Sequence, residues 1–328
     1  MTEIETEAVV DPSPYQALLT KSEQLKSEIG TVMVGQTEVM DWMLIGLLTR
    51  GHILLEGVPG IAKTTLAKLF SAAIGADFSR IQFTPDLMPS DIIGTSIFNQ
   101  KTTNFEFRKG PLFSNLVLTD EINRAPAKTQ AALFEVMQER QITVDGITYK
   151  LDEPFMVLAT QNPIDQEGTY RLPEAQLDRF LFRIVLKYPT EAEEIEILHR
   201  FRTNFNAEED AKMKCIFSNK DISRAFGLVE QVHIDDSLLQ YIAKMVHQTR
   251  NHGSIMLGAS PRASLAIMKA SKALAAISGR SYVIPDDIKT TAMPVLNHRI
   301  ILSPEKEMDG VEPVQIINEI IQQIEVPR

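Results

Sequence analysis

A short apolar run that stops at a glycine-rich turn and resumes as a helical pattern constrains this chain more than any other feature. Residues 52–55 predict a short buried strand, and residues 64–74, ended by Gly75, predict a helix. Small residues in the turn let backbone N–H groups point inward around an anion, and the next helix adds its positive dipole end. The turn and the first helical residues are Gly57, Val58, Pro59, Gly60, Ile61, Ala62, Lys63 and Thr64.

This pattern indicates how the phosphates of a nucleotide would be held. The Lys63 ammonium is expected to reach the β- and γ-phosphates, and the Thr64 hydroxyl is expected to ligate Mg²⁺. Ala62 occupies a position at which the strict pattern has glycine, and alanine is the smallest departure from it. The alternative interpretation is an ordinary glycine-rich turn followed by an exposed lysine.

Two adjacent carboxylates follow a second predicted strand. Residues 116–118 form a continuous apolar run, as in a strand buried on both faces of a parallel sheet, and Asp120 and Glu121 come shortly after it. Open α/β sheets bind ligands at the carboxyl ends of their strands. We therefore expect Asp120 to hold Mg²⁺, directly or through water, and Glu121 to orient and deprotonate an attacking water. The alternative is a strand that simply ends in acidic residues.

Polar residues also follow a third apolar run, over residues 155–159. Either Thr160 or Asn162 could hydrogen-bond a γ-phosphate or the attacking water. The proline that follows Asn162 makes the same residues a common start for a turn, which is the alternative interpretation.

Several arginines are candidates for contact with an anion. Arg179 could stabilise the charge that develops during phosphoryl transfer, although an ion pair with Asp178 or a neighbour is the simpler interpretation by spacing. Arg171 and Arg124 are rivals for the same role. Arg262 lies in the first turn of a helix predicted from a serine N-cap and a following proline. A cation there opposes the helix dipole, which is typical of an arginine directed at an anion, or else of a solvated side chain.

The order of predicted elements indicates two domains. Strands alternate with helices up to Pro189, which predicts an α/β fold with an open parallel sheet covered on both sides. Two predicted hairpins, over residues 95–108 and 142–151, interrupt the alternation. After Thr190, which forms a predicted capping box with Glu193, nearly all elements are predicted as helices. The sequence therefore predicts an acidic, flexible N-terminus at residues 1–20, a core at residues 21–189 and a helical domain at residues 190–328.

Composition narrows the possible partners. The 328 residues carry a formal net charge of −10, which argues against a large nucleic-acid or anionic-membrane footprint. The longest apolar runs are far shorter than the ~20 residues that span a membrane, and the acidic start does not fit a signal or transit peptide. Cys215 is the only cysteine, so no intrachain disulfide can form and a cytoplasmic location is expected.

Together these motifs resemble the AAA+ ATPases, and among them the MoxR family. Three stretches carry the resemblance: GVPGIAKTTLAK from Gly57, DEINRAPAKTQAALFEVMQERQITVDG from Asp120 and LATQNPIDQEGTYRLPEAQLDRFLF from Leu158. The similarity runs from about Val34 to the C-terminus and is densest over residues 57–183. It implies an AAA+ P-loop core, with a parallel sheet flanked by helices and two β-hairpin inserts, and a C-terminal α-helical lid.

The same resemblance implies roles for individual residues. The catalytic residues would be Lys63, Glu121, Asn162 as sensor 1 and Arg179 as the arginine finger, which acts in trans on the neighbouring subunit. Arg262 would be sensor 2 and act from the lid of the same chain. The residues implied in ATP binding are Val34, Gly35, Gly57, Val58, Pro59, Gly60, Ile61, Ala62, Lys63, Thr64, Thr65, Asp120 and Arg262.

MoxR proteins form rings, usually hexamers, that bind ATP at subunit junctions. They are chaperone-like and help partner proteins mature, often through metal or cofactor insertion, and commonly with proteins that carry von Willebrand A domains. The resemblance therefore implies a Mg²⁺-dependent ATPase that remodels a protein client.

Two other functions are also compatible with the motifs. A helicase-like AAA+ motor that depends on nucleic acid would need basic hairpin tips. The first hairpin offers Lys101, Arg108 and Lys109, and the second offers only Lys150 against Asp145 and Asp152. A regulatory protein that senses ATP without hydrolysing it would have no need of Glu121 as a base.

Overall fold

The computed structural model describes residues 13–57, 60–161, 172–202 and 213–327. A five-stranded parallel sheet forms the centre of the N-terminal part, in the strand order β2-β5-β8-β1-β9. Its strands are β1 (Ile53–Glu56), β2 (Phe78–Gln82), β5 (Leu116–Asp120), β8 (Met156–Gln161) and β9 (Phe182–Val185). Because all five strands run in one direction, their carboxyl ends meet at one edge of the sheet and their amino ends at the other. We call these the carboxyl edge and the amino edge.

Burial on both faces explains why this sheet forms. Every residue of β1 and β5 is buried, as expected for parallel strands that are covered on both sides. One hydrophobic cluster includes α1, α2 and α3, and a second cluster on the other face includes α4 and α5. The helices of this part are α1 (Pro14–Gly30), α2 (Thr37–Leu48), α3 (Lys63–Ala73), α4 (Pro89–Ile93), α5 (Ala127–Glu139) and α6 (Glu174–Leu177).

Helix α1 begins at Pro14, within the stretch of residues 1–20 that is predicted to be flexible. The Ser13 hydroxyl caps it by accepting a hydrogen bond from the backbone N–H of Gln16. Leu18, Leu25 and Ile29 lie on one face of the helix and are buried in the first hydrophobic cluster. The prediction of a flexible N-terminus is therefore wrong for residues 14–20, because this apolar face buries the helix. Residues 1–12 lie outside the described residues.

Both predicted hairpins are confirmed, and they contact each other. The Ser96 hydroxyl of the first donates to the Asp145 carboxylate of the second at 2.5 Å. The rings of Phe107 and Tyr149 stack with their centroids 4.8 Å apart. The paired strands are β3 (Gly94–Asn99) with β4 (Asn104–Lys109), and β6 (Gln141–Val144) with β7 (Ile147–Lys150).

Helices dominate the chain after Pro189, as predicted. The capping box is confirmed, because the Glu193 carboxylate accepts from the Thr190 backbone N–H at 2.7 Å. A small antiparallel sheet is not predicted from the sequence, since strands this short leave no recognisable periodicity. The elements are α7 (Glu191–Phe201), α8 (Asn219–Gln231), α9 (Asp236–Asn251), β10 (Ile255–Leu257), α10 (Pro261–Ile277), α11 (Pro285–Leu296), β11 (Ile301–Leu302), α12 (Pro304–Met308) and α13 (Pro313–Gln323).

The helical part packs directly on the core. Trp42 on α2 and Leu55 on β1 belong to the same buried cluster as Phe226 on α8, Ile267 on α10 and Val295 on α11. Close packing of this kind fixes the positions of side chains at the boundary relative to the sheet. In the described part of the chain, no helix combines the length and the apolar character that crossing a membrane requires.

Candidate active site

The predicted phosphate-binding loop lies at the carboxyl edge, between β1 and α3. Gly60 and Ala62 have positive φ angles of +91° and +54°. Alanine adopts this left-handed conformation at a cost of roughly 1–2 kcal/mol. This cost explains why the strict pattern has glycine at the position of Ala62. A Cβ built on Gly60 would meet no atom within 4 Å, so the loop is open at that point. Val58 and Pro59 lie outside the described residues.

Lys63 is the first residue of α3, and its ammonium reaches back across the loop. Its Nζ donates a hydrogen bond to the Gly57 carbonyl at 2.7 Å. Burial lowers the pKa of Lys63 from its usual 10.5, and the carboxylates of Asp120 and Glu121 act in the opposite direction. The lysine and the two acidic residues predicted from the sequence therefore face one another at the carboxyl edge.

Asp120 and Glu121 are held by a hydroxyl group on the neighbouring strand. Thr160, near the end of β8, donates to Asp120 Oδ1 at 3.2 Å and accepts from the Glu121 backbone N–H at 3.0 Å. Glu121 has a φ angle of +55°, which is uncommon for a residue with a side chain. The Thr160 hydroxyl thus orients the acidic pair. Asn162, its rival for contact with a phosphate, lies outside the described residues.

Three further side chains surround the acidic pair, and two of them are not predicted from the sequence. Arg80 Nε donates to Asp120 Oδ2 at 2.6 Å, and Gln82 Nε2 donates to Glu121 Oε2 at 3.3 Å. Arg124 forms an ion pair with Glu121 at 3.0 Å. This alternative candidate for the role of Arg179 therefore lies beside the acidic pair of its own chain. Arg80 and Gln82 are two residues apart on β2 and share a face, but only the sheet order shows that β2 pairs with β5.

Val34 and Gly35, which the resemblance implies in ATP binding, also lie at the carboxyl edge. Gly35 has a φ angle of +73°, and a Cβ built on it would come within 2.6 Å of a Glu193 carboxylate oxygen. Gln36 Nε2 donates to the Lys187 carbonyl at 3.3 Å. Val34, half-buried, precedes them. The segment is therefore fixed against the connection from β9 to α7.

A cavity of about 580 Å³ opens between the loop and the helical part. Its volume lies within the range of small-molecule sites. Gly57 and Tyr188 line this cavity, and Tyr188 follows Lys187, whose carbonyl Gln36 contacts. The other lining residues are Glu56, Arg183, Val185, Leu186, Lys187, Asn297, Glu312, Pro313 and Val314.

Arg179 and Arg262 lie at the amino edge, away from the loop. Arg179 precedes β9, and one guanidinium N–H donates to the Phe134 carbonyl at 2.8 Å. Arg262, in the first turn of α10, lies 3.9 Å from the Asp178 carboxylate. Both arginines line a cavity of about 270 Å³ with His52, the residue before β1. The four residues of β1 separate this cavity from the loop by ~13 Å.

Arg262 therefore does not reach the loop of its own chain in this structure, contrary to the expectation that it contacts the nucleotide there. A serine N-cap and a proline indicate where α10 starts, but only the packing of the helical part shows which edge of the sheet that start faces. The expected alternative for Arg179, an ion pair with Asp178, is also not what the structure has, because Asp178 pairs with Arg299 at 2.7 Å. Arg171 lies outside the described residues.

The residues at the carboxyl edge fit a nucleoside triphosphate with Mg²⁺. Open space above the loop, the lysine and the start of α3 suit the phosphates. Thr64 and Thr65 lie half-buried in the first turn of α3, and Ile61 is buried beneath the loop. Within the described ranges no three His, Cys, Asp or Glu residues cluster as metal ligands. That is compatible with Mg²⁺, which commonly takes one or two carboxylates and fills its remaining positions with phosphate oxygens and water.

A parallel sheet with this loop and acidic pair defines a P-loop ATPase of the AAA+ class. Residues 52–182 match the family described as "ATPase family associated with various cellular activities (AAA)", and residues 247–320 match the AAA lid domain. The chain belongs to the MoxR family of these ATPases. It is 44% identical over 310 residues to Chaperone MoxR1 of Mycobacterium tuberculosis, which covers 92% of this chain and 81% of that protein.

Two further comparisons find similar proteins of nearly the same length. The uncharacterized protein YeaC of Bacillus subtilis is 48% identical over 299 residues, which is 91% of this chain and 92% of that protein. The crystal structure of a candidate ATPase from Cytophaga hutchinsonii matches with a TM-score of 0.89 and 45% identity, covering 96% of this chain and 97% of that one. The predicted fold, an AAA+ core with a helical lid, is confirmed, and the chain is a nucleotide-binding ATP hydrolase.

Proposed function

We propose that this ATPase hydrolyses Mg-ATP at the carboxyl edge and uses the energy to remodel a protein client. Lys63 binds the β- and γ-phosphates, and Thr64 and Asp120 hold Mg²⁺, which neutralises phosphate charge when bound. Glu121 accepts a proton from the attacking water, whose oxygen bonds to the γ-phosphorus while the bond to the β-phosphate breaks. The observation that carries this proposal is the convergence of Lys63, Asp120 and Glu121 at one edge of the sheet.

We further propose that ATP binds at junctions between subunits of a closed ring. Arg179 and Arg262 share a cavity at the amino edge and lie ~13 Å or more from the loop of their own chain. Only a second copy could bring such a pair to the phosphates. A head-to-tail contact that uses opposite edges of each subunit generates a ring when the rotation closes, and a hexamer is the usual result in this family. Both arginines act in trans.

The hairpins support a protein client over a nucleic acid. Phe98, Phe105 and Ile147 are exposed on these strands, by 50%, 75% and 57%. Exposed apolar side chains on neighbouring strands are typical of protein contact, and a chain with a net charge of −10 has little affinity for a polyanion. One relative is named a chaperone. We propose that the hairpins contact a client that matures by metal or cofactor insertion, with a von Willebrand A domain protein as partner.

We propose that the chain divides into a core at residues 21–189 and a lid at residues 190–328. The capping box at Thr190 marks the start of the first helix after the sheet. Helix α1 packs on α10, so residues 14–20 belong with the folded part of the molecule.

A substrate trap tests the function. Glu121→Gln keeps the charge of Lys63 and the loop intact, so it should bind ATP with unchanged affinity while turnover falls by ~10² or more. Affinity capture with this variant and ATP should retain the client and any von Willebrand A partner. Lys63→Ala is the matched control, because it should lose nucleotide binding and capture nothing.

Two results would contradict the proposal. Normal turnover by Glu121→Gln would remove Glu121 as the base. Salt-dependent binding of DNA that stimulates hydrolysis would instead favour the nucleic-acid motor.

A further inference from the structure

The carboxylate of Asp178 joins the segment that carries Arg179 to two separate parts of the lid. Its Oδ1 accepts a hydrogen bond from Arg299 Nε at 2.7 Å. Its Oδ2 accepts from the Ser260 hydroxyl at 3.0 Å and lies 3.9 Å from the Arg262 guanidinium. Asp178 directly precedes Arg179, so one side chain contacts the surroundings of both arginines at the amino edge.

Arg299 is the most deeply buried member of this cluster. Its side chain is 3% exposed, although guanidinium groups are seldom buried. Besides the Asp178 carboxylate, it donates to backbone carbonyls of Asp178, Phe180 and Leu181, and to that of Val295 near the end of α11. A single lid residue therefore holds the chain on both sides of Arg179.

A second contact ties the lid to the same segment. His298 Nε2 lies 3.1 Å from the Phe180 carbonyl, and Asn297 Nδ2 donates to the Arg183 carbonyl at 2.9 Å. The end of α11 thus follows the chain from Asp178 into β9 through side chain to backbone bonds. Buried ion pairs contribute little net stability compared with apolar packing, so their common use is to fix geometry.

We propose that Asp178 and Arg299 are positioning residues that hold Arg179 and Arg262 as one rigid unit facing the nucleotide of the neighbouring subunit. This inference rests on the proposed ring. Neither residue contacts the reacting atoms. They act through the two arginines, so that the lid and the finger segment of one subunit move together against its neighbour.

The variant Asp178→Asn tests the inference in the full-length chain. It removes the charge that orients Arg299 and Arg262 but leaves the loop and the acidic pair of the same chain untouched. We expect kcat to fall tenfold or more, while the affinity for ATP, measured by nucleotide titration, stays within twofold. Arg299→Lys keeps the charge but loses the planar fork and should lie between wild type and Asp178→Asn.

Mixed assemblies separate positioning from general damage. Asp178→Asn supplies an intact loop and Lys63→Ala supplies an intact arginine pair; alone, Lys63→Ala should be inactive and Asp178→Asn should keep at most a tenth of wild-type turnover. When they are mixed before assembly, roughly a quarter of the junctions combine the two intact halves, and that share of turnover should return. A subunit that only misfolds or fails to assemble would not restore turnover, and that result would overturn the inference.

Asp287→Asn is the matched control. It breaks another buried carboxylate–arginine pair in the lid, with Arg280, whose two N–H groups contact Asp287 at 2.6 and 2.8 Å. That pair lies near the start of α11, whereas Arg299 lies beyond its end. We expect thermal stability to fall in both variants but kcat to stay within twofold of wild type in the control.

Two outcomes distinguish this inference from the function on which it rests. A mixture of Arg179→Ala with Lys63→Ala that recovers no turnover would overturn the trans arrangement, and the inference with it. Recovery in that mixture, together with near-normal kcat in Asp178→Asn, would overturn the inference alone.

Discussion

Arg80 is the residue at the site whose effect is hardest to see from the sequence. Its guanidinium donates a hydrogen bond to one carboxylate oxygen of Asp120, and the Thr160 hydroxyl donates to the other. A carboxylate that binds Mg²⁺ while paired with a cation is a weaker ligand than a free one, since the two cations repel. The Arg80 side chain is 49% exposed, so water screens this effect and keeps it modest.

We predict that Arg80→Met lowers the Mg²⁺ concentration needed for half-maximal binding of a fluorescent ATP analogue by about two- to fivefold. The measurement is a Mg²⁺ titration of nucleotide binding, which does not depend on turnover. Arg108→Met, on an exposed position of β4, should leave the titration unchanged. A higher Mg²⁺ requirement in Arg80→Met would show that Arg80 supports the metal site.

At the scale of elements, the base of the first hairpin depends on two glycines. Gly94 has a φ angle of +111°, and a Cβ built on it would lie 2.3 Å from the Arg108 carbonyl oxygen. A Cβ on Gly110 would lie 2.5 Å from the Gly94 nitrogen. The two ends of the hairpin therefore cross at backbone contact, which sets its direction relative to the sheet.

We predict that Gly94→Ala lowers the melting temperature by several degrees, because the left-handed φ and the backbone clash cannot both be relieved. Gly227→Ala is the matched control. Gly227 lies inside α8 with no atom within 4 Å of a built Cβ. That change should raise stability by roughly 1 kcal/mol, because alanine is the better helix former. Equal effects in thermal unfolding would contradict this account.

At the scale of the whole molecule, two buried histidines link stability to pH. Burial lowers the pKa of His52 to about 4, with a further lowering from Arg140, and its ring contacts the Met137 carbonyl and the Val157 N–H. Burial also holds the pKa of His298 well below 6.5, as does nearby Arg299. In the folded state both rings therefore take up protons at a lower pH than they do in the unfolded chain.

We therefore predict that the free energy of unfolding is greatest above pH 6.5 and falls as the pH is lowered from 6.5 toward 4. In that range the unfolded state binds more protons than the folded state. Between pH 7.5 and 5.5 protonation of the unfolded-state His52 should cost about 1 kcal/mol, and His298 acts in the same direction. Denaturant unfolding across this range checks the slope. His52→Gln should reduce it, whereas His199→Gln, at an exposed position, should not.

The sequence by itself determined the helices and strands of the core and the residue types of the phosphate-binding loop and the acidic pair. Residues 64–74 had a helical pattern, residues 116–118 a buried-strand pattern, and the hairpins had their turns, so the α/β core, the loop and the acidic pair were predictable from local spacing. These features depend on residues close together in the chain, which is why periodicity and motifs identify them.

The tertiary structure decided which elements, and therefore which side chains, became neighbours. Which strand lies beside β5 made Arg80 and Gln82 neighbours of the acidic pair, and the packing of α10 carried Arg262 to the amino edge with Arg179. Both outcomes depend on contacts between residues more than 30 positions apart, formed as apolar faces of helices and strands bury against one another. The local residue pattern does not specify where an element packs, because the same helix or strand would keep its pattern on either side of the sheet.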